Sequence, residues 1–211
     1  MHAPVHAPAA PAASPTGPHL VLLAQSRRGY GNLAQWITVA RRRAAKGEYL
    51  ALMSDLEGRV PHLPTLAGLP DCLALLLPSP VLASDQPFET LLAQALWLKT
   101  WFGAGPRGAE GGEGGEGRAA LALPQLMHAH DEVLAELVQQ VAMLTGLPIV
   151  AVGSVLMHAR SRKPLQDALT ATRLKRPVAD CGFALEPNAE AHLRSRARLA
   201  QLFRPEWLEA S

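Results

Sequence analysis

Residues 119–153 read "AALALPQLMHAHDEVLAELVQQVAMLTGLPIVAVG". Two short apolar runs, Ala119–Leu123 and Leu147–Gly153, flank a longer amphipathic segment, His130–Gly146. The runs have the length of buried strands. The segment between them opens on the acids Asp131 and Glu132, which favour a helix N terminus, and closes on glycine, which favours its C terminus. A strand, a helix and a second strand in that order predict a parallel pair joined by a helical crossover.

The same alternation extends outward. His19–Ala24 ("HLVLLA") and Cys72–Pro78 ("CLALLLP") are further strand candidates. "GYGNLAQWITVARRRAAKG" carries Leu33, Trp36, Ile37 and Ala40 at i, i+3, i+4 and i+7. This spacing predicts a helix with Asn32 as N-cap and Gly47 as its stop, and with Arg41, Arg42 and Arg43 in its last turns. Pro87–Phe102, Pro164–Arg176 and Asn188–Phe203 read as helices. The fold class is therefore α/β with mainly parallel strands.

Two segments stand apart. Residues 1–18, rich in Pro and Ala, have little to bury and read as a disordered tail, so order is expected from residue 19 to 211. Residues 103–117, "GAGPRGAEGGEGGEG", read as a flexible insertion. The insertion does not suit phosphate: no Lys-Ser/Thr follows the glycines, and Glu110, Glu113 and Glu116 repel anions.

The composition, 48% hydrophobic and 18% charged with net charge +2, supports a packed core and only a mildly basic protein. Cys72 and Cys181 lie far apart, without the spacing of a zinc site or a disulfide framework, and read as reduced, buried thiols. No signal-peptide pattern is present, and no apolar run approaches the ~18 residues of a membrane span. A soluble cytoplasmic protein without membrane contact is expected.

Two long strings carry a family likeness. "HLVLLAQSRRGYGNLAQWITVARRRAAKGEY" (19–49) resembles the PHP (polymerase and histidinol phosphatase) domain of bacterial C-family DNA polymerase alpha subunits. "SVLMHARSRKPLQDALTATRLKRPVADCGFALEPNAEAHLRSRARLAQLFRPEWLEA" (154–210) resembles the end of that domain in the error-prone branch. The likeness spans 19–102 and 118–211. It implies an incomplete PHP-type β/α barrel-like domain and a family role in translesion DNA synthesis during repair. It also implies a polymerase palm lying outside these residues, so this chain is expected to be a fragment without polymerase activity of its own. An incomplete barrel leaves a strand edge exposed, from which poor solubility is expected.

The resemblance also frames the site. Metal-holding PHP relatives place Asp-x-His at the strand end where this chain has Ser154 and Leu156, and a His-x-His near the start, where this chain has only His2 and His6 in the tail. No catalytic residue and no cofactor are assigned. His158 remains as a vestigial candidate for a divalent metal. A residual metal-dependent phosphoesterase would need His158 to converge with His128, His130 or the tail histidines. His128 and His130 have a spacing that puts both rings on one side of an extended segment, while Asp131 beside them also suits a helix start. Ser154 lacks the Gly-x-Ser-x-Gly elbow of a nucleophile, and Cys181 reads as a core thiol.

The cations Arg160, Arg162 and Lys163 precede a helix that ends in Arg173, Lys175 and Arg176, and Arg194, Arg196 and Arg198 belong to the next one. They are candidates for contact with DNA, for docking against a polymerase body in cis or in trans, or for a solvated surface. No aromatic platform for single-stranded bases accompanies them.

Overall fold

The computed structural model describes residues 18–78, 82, 84–103 and 117–211. The expected tail at 1–18 and the insertion at 103–117 fall almost wholly outside these residues.

Four strands form one sheet in sequential order: β1 (His19–Ala24), β2 (Cys72–Leu77), β3 (Ala119–Pro124) and β4 (Ile149–Val152). β2, β3 and β4 are parallel, with Leu76 opposite Leu121 and Leu121 opposite Ile149. β1 runs antiparallel to β2, pairing Leu20 with Leu76. Among the described residues the sheet is open, its edges being β1 and β4. This is α/β architecture of the expected class, compatible with part of a PHP-like fold.

Burial differs along the sheet, and β1 at its edge leaves Val21 and Leu23 exposed. Every residue of β3 is buried, as a central parallel strand covered on both faces requires. α3 (Pro87–Phe102) and α4 (Asp131–Thr145) pack on each other and against β2 and β3. Leu91, Ala95, Leu98 and Phe102 of α3 join Val138 and Val141 of α4 in the core. α4 ends as read, with Gly146 in the left-handed region at φ 71°. Cys72 and Cys181 are both buried and unpaired.

α1 (Arg27–Arg43) starts earlier than its apolar spacing predicts. Ser26, not Asn32, is the N-cap, its hydroxyl accepting from Gly29 N at 3.1 Å. Gly29 lies inside the helix because a Cβ there would strike the carbonyl oxygen of Asp71. Asn32 lies one turn in, and its amide donates to Pro70 O at 3.0 Å. The helix ends at Arg43, short of Gly47, where Ala44 turns to extended backbone. The Arg43 guanidinium donates to Asp55 Oδ1 at 2.6 Å and Oδ2 at 2.9 Å. Asp55, in α2 (Met53–Leu56), is buried and also accepts from Trp36 Nε1 and Leu52 N. Burial pushes its carboxyl up, but Arg43 and these two donors outweigh that and hold it below the usual range.

The last expected helix is a second correction. Residues 188–195 are not helical; α6 covers only Arg196–Leu202, and α7 (Pro205–Glu209) follows. Tertiary hydrogen bonds outweigh the helical pattern. Ala191 O accepts from Leu156 N and Met157 N, and Leu193 N donates to Met157 O, which makes a bridge between Met157 and His192. α5 (Lys163–Leu174) ends two residues before Arg176, with Lys175 in the left-handed region at φ 54°.

Candidate functional site

In open parallel sheets the strands' carboxyl ends form the site face, because the chain leaves each strand there with unpaired backbone and divergent loops. Here the ends of β3 and β4 lie side by side, Pro124 opposite Val152. They differ in what they carry.

β4 leads through Gly153 into Ser154, which adopts φ 41°. A serine in the left-handed region costs about 1 kcal/mol. Leu156 is 48% exposed, with its backbone fixed to Ala191. His158 is exposed and joins no cluster of metal-ligating side chains among the described residues. The donors a hydrolytic metal needs, carboxylate and imidazole, are therefore not assembled at this strand end. Among the described residues, the β4 end therefore does not fit a PHP-type metal cluster. Neither candidate nucleophile is set up for attack. Ser154 has no base beside it in the chain, and Cys181 Sγ donates to Pro177 O at 3.3 Å within its own turn.

β3 leads into a turn built around Asp131. Its Oδ2 accepts from Leu126 N at 2.8 Å and His128 N at 3.2 Å, so the carboxylate shapes the turn that starts α4. The turn brings His128 and His130 together, with ring centroids 5.2 Å apart. One ligand atom from each of His128, His130 and Asp131 lies within 4.8 Å of the others. His128 Nδ1 stands 4.0 Å from Asp131 Oδ1, and His128 Nε2 is buried without a hydrogen-bond partner.

The C-terminal segment ties the two strand ends together. Asn188 donates to Leu126 O at 2.8 Å, and Arg194 donates to Gln125 O at 2.6 Å. Arg194 also pairs with Glu190 at 3.2 Å, and Glu190 pairs with Arg160 at 2.8 Å. The Arg194 side chain is only 2% exposed, so it is a tie within the fold and not part of a solvated basic face. Burial pushes the Glu190 carboxyl up; Arg160 and Arg194 reverse this and hold it below its ordinary range. Sequence reasoning missed Glu190 and Asn188 altogether.

The remaining cations divide. Arg160 is engaged with Glu190, and Lys163 with Asp167 at 2.6 Å. Arg162, Arg173, Lys175 and Arg176 are exposed and make no ion pair among the described residues. Arg162 and Arg173 sit at opposite ends of α5, separated by roughly 17 Å at 1.5 Å per residue. Leu165 and Leu169 are exposed between them. Spaced at 162, 165, 169 and 173, these four residues form one stripe on the helix.

The fold and this site define the chain as an α/β domain of the strand-end type whose β4 loop gathers no metal-ligating cluster among the described residues. Comparison with known proteins narrows this further. The chain is 47% identical over 184 residues to an error-prone DNA polymerase of Bordetella parapertussis, 46% over 187 residues to one of Ralstonia nicotianae, and 42% over 194 residues to one of Dechloromonas aromatica. These alignments cover 87%, 89% and 91% of the chain and 16% of each relative. The chain is thus a homologue of one segment of the error-prone DNA polymerases, about a sixth of their length. No protein-family model matches it. No helix among the described residues is long and apolar enough to cross a membrane.

Proposed function

We propose that this chain is the PHP-like part of an error-prone DNA polymerase and serves as a non-hydrolytic docking domain for a polymerase body, in cis or in trans. The family role it would support is translesion DNA synthesis in repair, in the bacterial cytoplasm. The observation that carries the docking role is the α5 stripe, where exposed Leu165 and Leu169 are bracketed by Arg162 and Arg173. Apolar anchors with arginine at the margin are the composition of a protein interface. The relatives supply the occupant, since five sixths of their length lies outside the matched segment.

The test mixes the purified chain with the body of a related error-prone polymerase expressed without the corresponding segment. Co-elution on size exclusion, abolished by Leu165→Glu with Leu169→Glu, supports docking. No association, or association unchanged by the pair, contradicts it. The exposed cations also give DNA contact a specific basis. Fluorescence anisotropy with single-stranded DNA at two salt concentrations separates that reading, which requires salt-sensitive binding reduced by Arg173→Ala and Arg176→Ala. A residual phosphoesterase draws no support from His158, which stands apart from the ligating cluster.

A further inference from the structure

At the start of α4 the turn after β3 gathers donors that the docking role does not use. His128 offers an imidazole whose Nε2 is buried and unpartnered and whose Nδ1, at 4.0 Å from Asp131, is beyond hydrogen-bond reach. A buried ring nitrogen without a partner costs free energy that a ligand would recover. His130 supplies a second, exposed imidazole, and Asp131 a carboxylate already fixed by two backbone N–H groups. Such hydrogen bonding of a ligating carboxylate is how proteins hold metal ligands in place.

We propose that His128, His130 and Asp131 bind one divalent transition-metal ion of the zinc class. Two imidazoles and one carboxylate suit Zn²⁺, Ni²⁺ or Cu²⁺, not Mg²⁺ or Ca²⁺, which prefer all-oxygen sets. Tetrahedral ligands at zinc–nitrogen distances stand ~3.3 Å apart. The donors here lie within 4.8 Å, so binding requires them to draw together by up to ~1.5 Å, and the exposed His130 ring is free to turn. Three protein ligands leave a fourth position for water or for a ligand from elsewhere. The positive end of α4 opposes a cation, and Asp131 with Glu132 in the first turn offsets it. This site is distinct from the strand end that carries Ser154 and Leu156: it lies one strand over and uses none of those residues.

Isothermal titration of Zn²⁺ into the full chain tests the proposal, with His2→Ala/His6→Ala as background to remove the tail imidazoles. One equivalent is expected, with Mg²⁺ giving no heat. His130→Ala and His128→Ala should each weaken binding at least ~10-fold. His130 is exposed, so its variant should keep the wild-type far-ultraviolet circular dichroism. Cobalt substitution gives a second readout: visible absorption of a low-coordinate site in the background chain, lost in His130→Ala. Absence of saturable zinc binding, or binding that survives both histidine substitutions or is lost instead on His158→Ala, overturns the proposal.

Discussion

The carboxyl ends of β3 and β4 are neighbours that differ in how their side chains converge. The β4 end has the setting of a site, a glycine after a buried strand, a histidine and a run of cations, yet its side chains diverge: Leu156 and His158 point to solvent, and Arg160 and Lys163 are engaged by carboxylates. The β3 end looks in sequence like an ordinary helix start, yet its turn brings two imidazoles and a carboxylate within 4.8 Å. Chemistry follows convergence. Residue types near a strand end do not supply it unless a turn holds them together, and on β3 that turn is held by Asp131.

The largest expected effect comes from cutting the tie between the two ends. Arg194→Ala removes a buried guanidinium that joins Gln125 to Glu190 and leaves Glu190 paired with Arg160 alone. The expected loss is about 3 kcal/mol, read as a lowered urea midpoint at unchanged slope. A change under ~0.5 kcal/mol would show that Arg194 is not the link that holds the ends together. Asp131→Ala removes the acceptor for two backbone N–H groups and should cost about 1–2 kcal/mol by the same assay. Asp131→Asn should recover part of the loss, because its amide oxygen can still accept.

Acid sharpens the comparison. Glu190 and Asp55 both have folded-state pKa values below their ordinary ones. Each therefore stabilises the fold above its unfolded-state pKa, and this contribution is lost as pH falls through the folded-state value. Urea midpoints from neutral pH to roughly pH 3 should fall with pH, and more shallowly in Glu190→Gln than in the parent. Equal slopes would contradict the assignment of Glu190 as a charged tie. The smallest effect is at the β4 turn. Ser154→Gly relieves the positive φ and should raise stability by about 0.5 kcal/mol, whereas a loss would mean that the serine hydroxyl holds the turn.

Much of this was legible in sequence because the sheet is made of short apolar runs, buried along β3 and on one face of β2, whereas β1 is an edge strand that leaves Val21 and Leu23 exposed. His19–Ala24, Cys72–Leu77 and Ala119–Leu123 appear as strands where their hydrophobicity placed them. The misreadings share one cause, a tertiary contact that competes with local pattern. Asn32 reads as the N-cap, but its amide is taken by Pro70 O and Ser26 caps the helix instead. The 188–195 segment has a helical pattern, but Ala191 and Leu193 hydrogen-bond to the β4 loop. Arg194 reads as one surface cation among several, since nothing local announces that Glu190 and the Gln125 carbonyl enclose it. The His128, His130 and Asp131 grouping was half visible: the spacing placed both rings on one side, but the buried Nε2 depends on the packing around it.

The central claim is that the β4 strand end serves structure, with docking left to α5, and not hydrolysis. Turnover of a chromogenic phosphodiester by the full chain, with Mn²⁺ or Zn²⁺ supplied, tests it most directly. The expected result is no hydrolysis above the metal-only rate, in the parent and in His158→Ala alike. Metal-dependent turnover in the parent that disappears in His158→Ala would contradict the account.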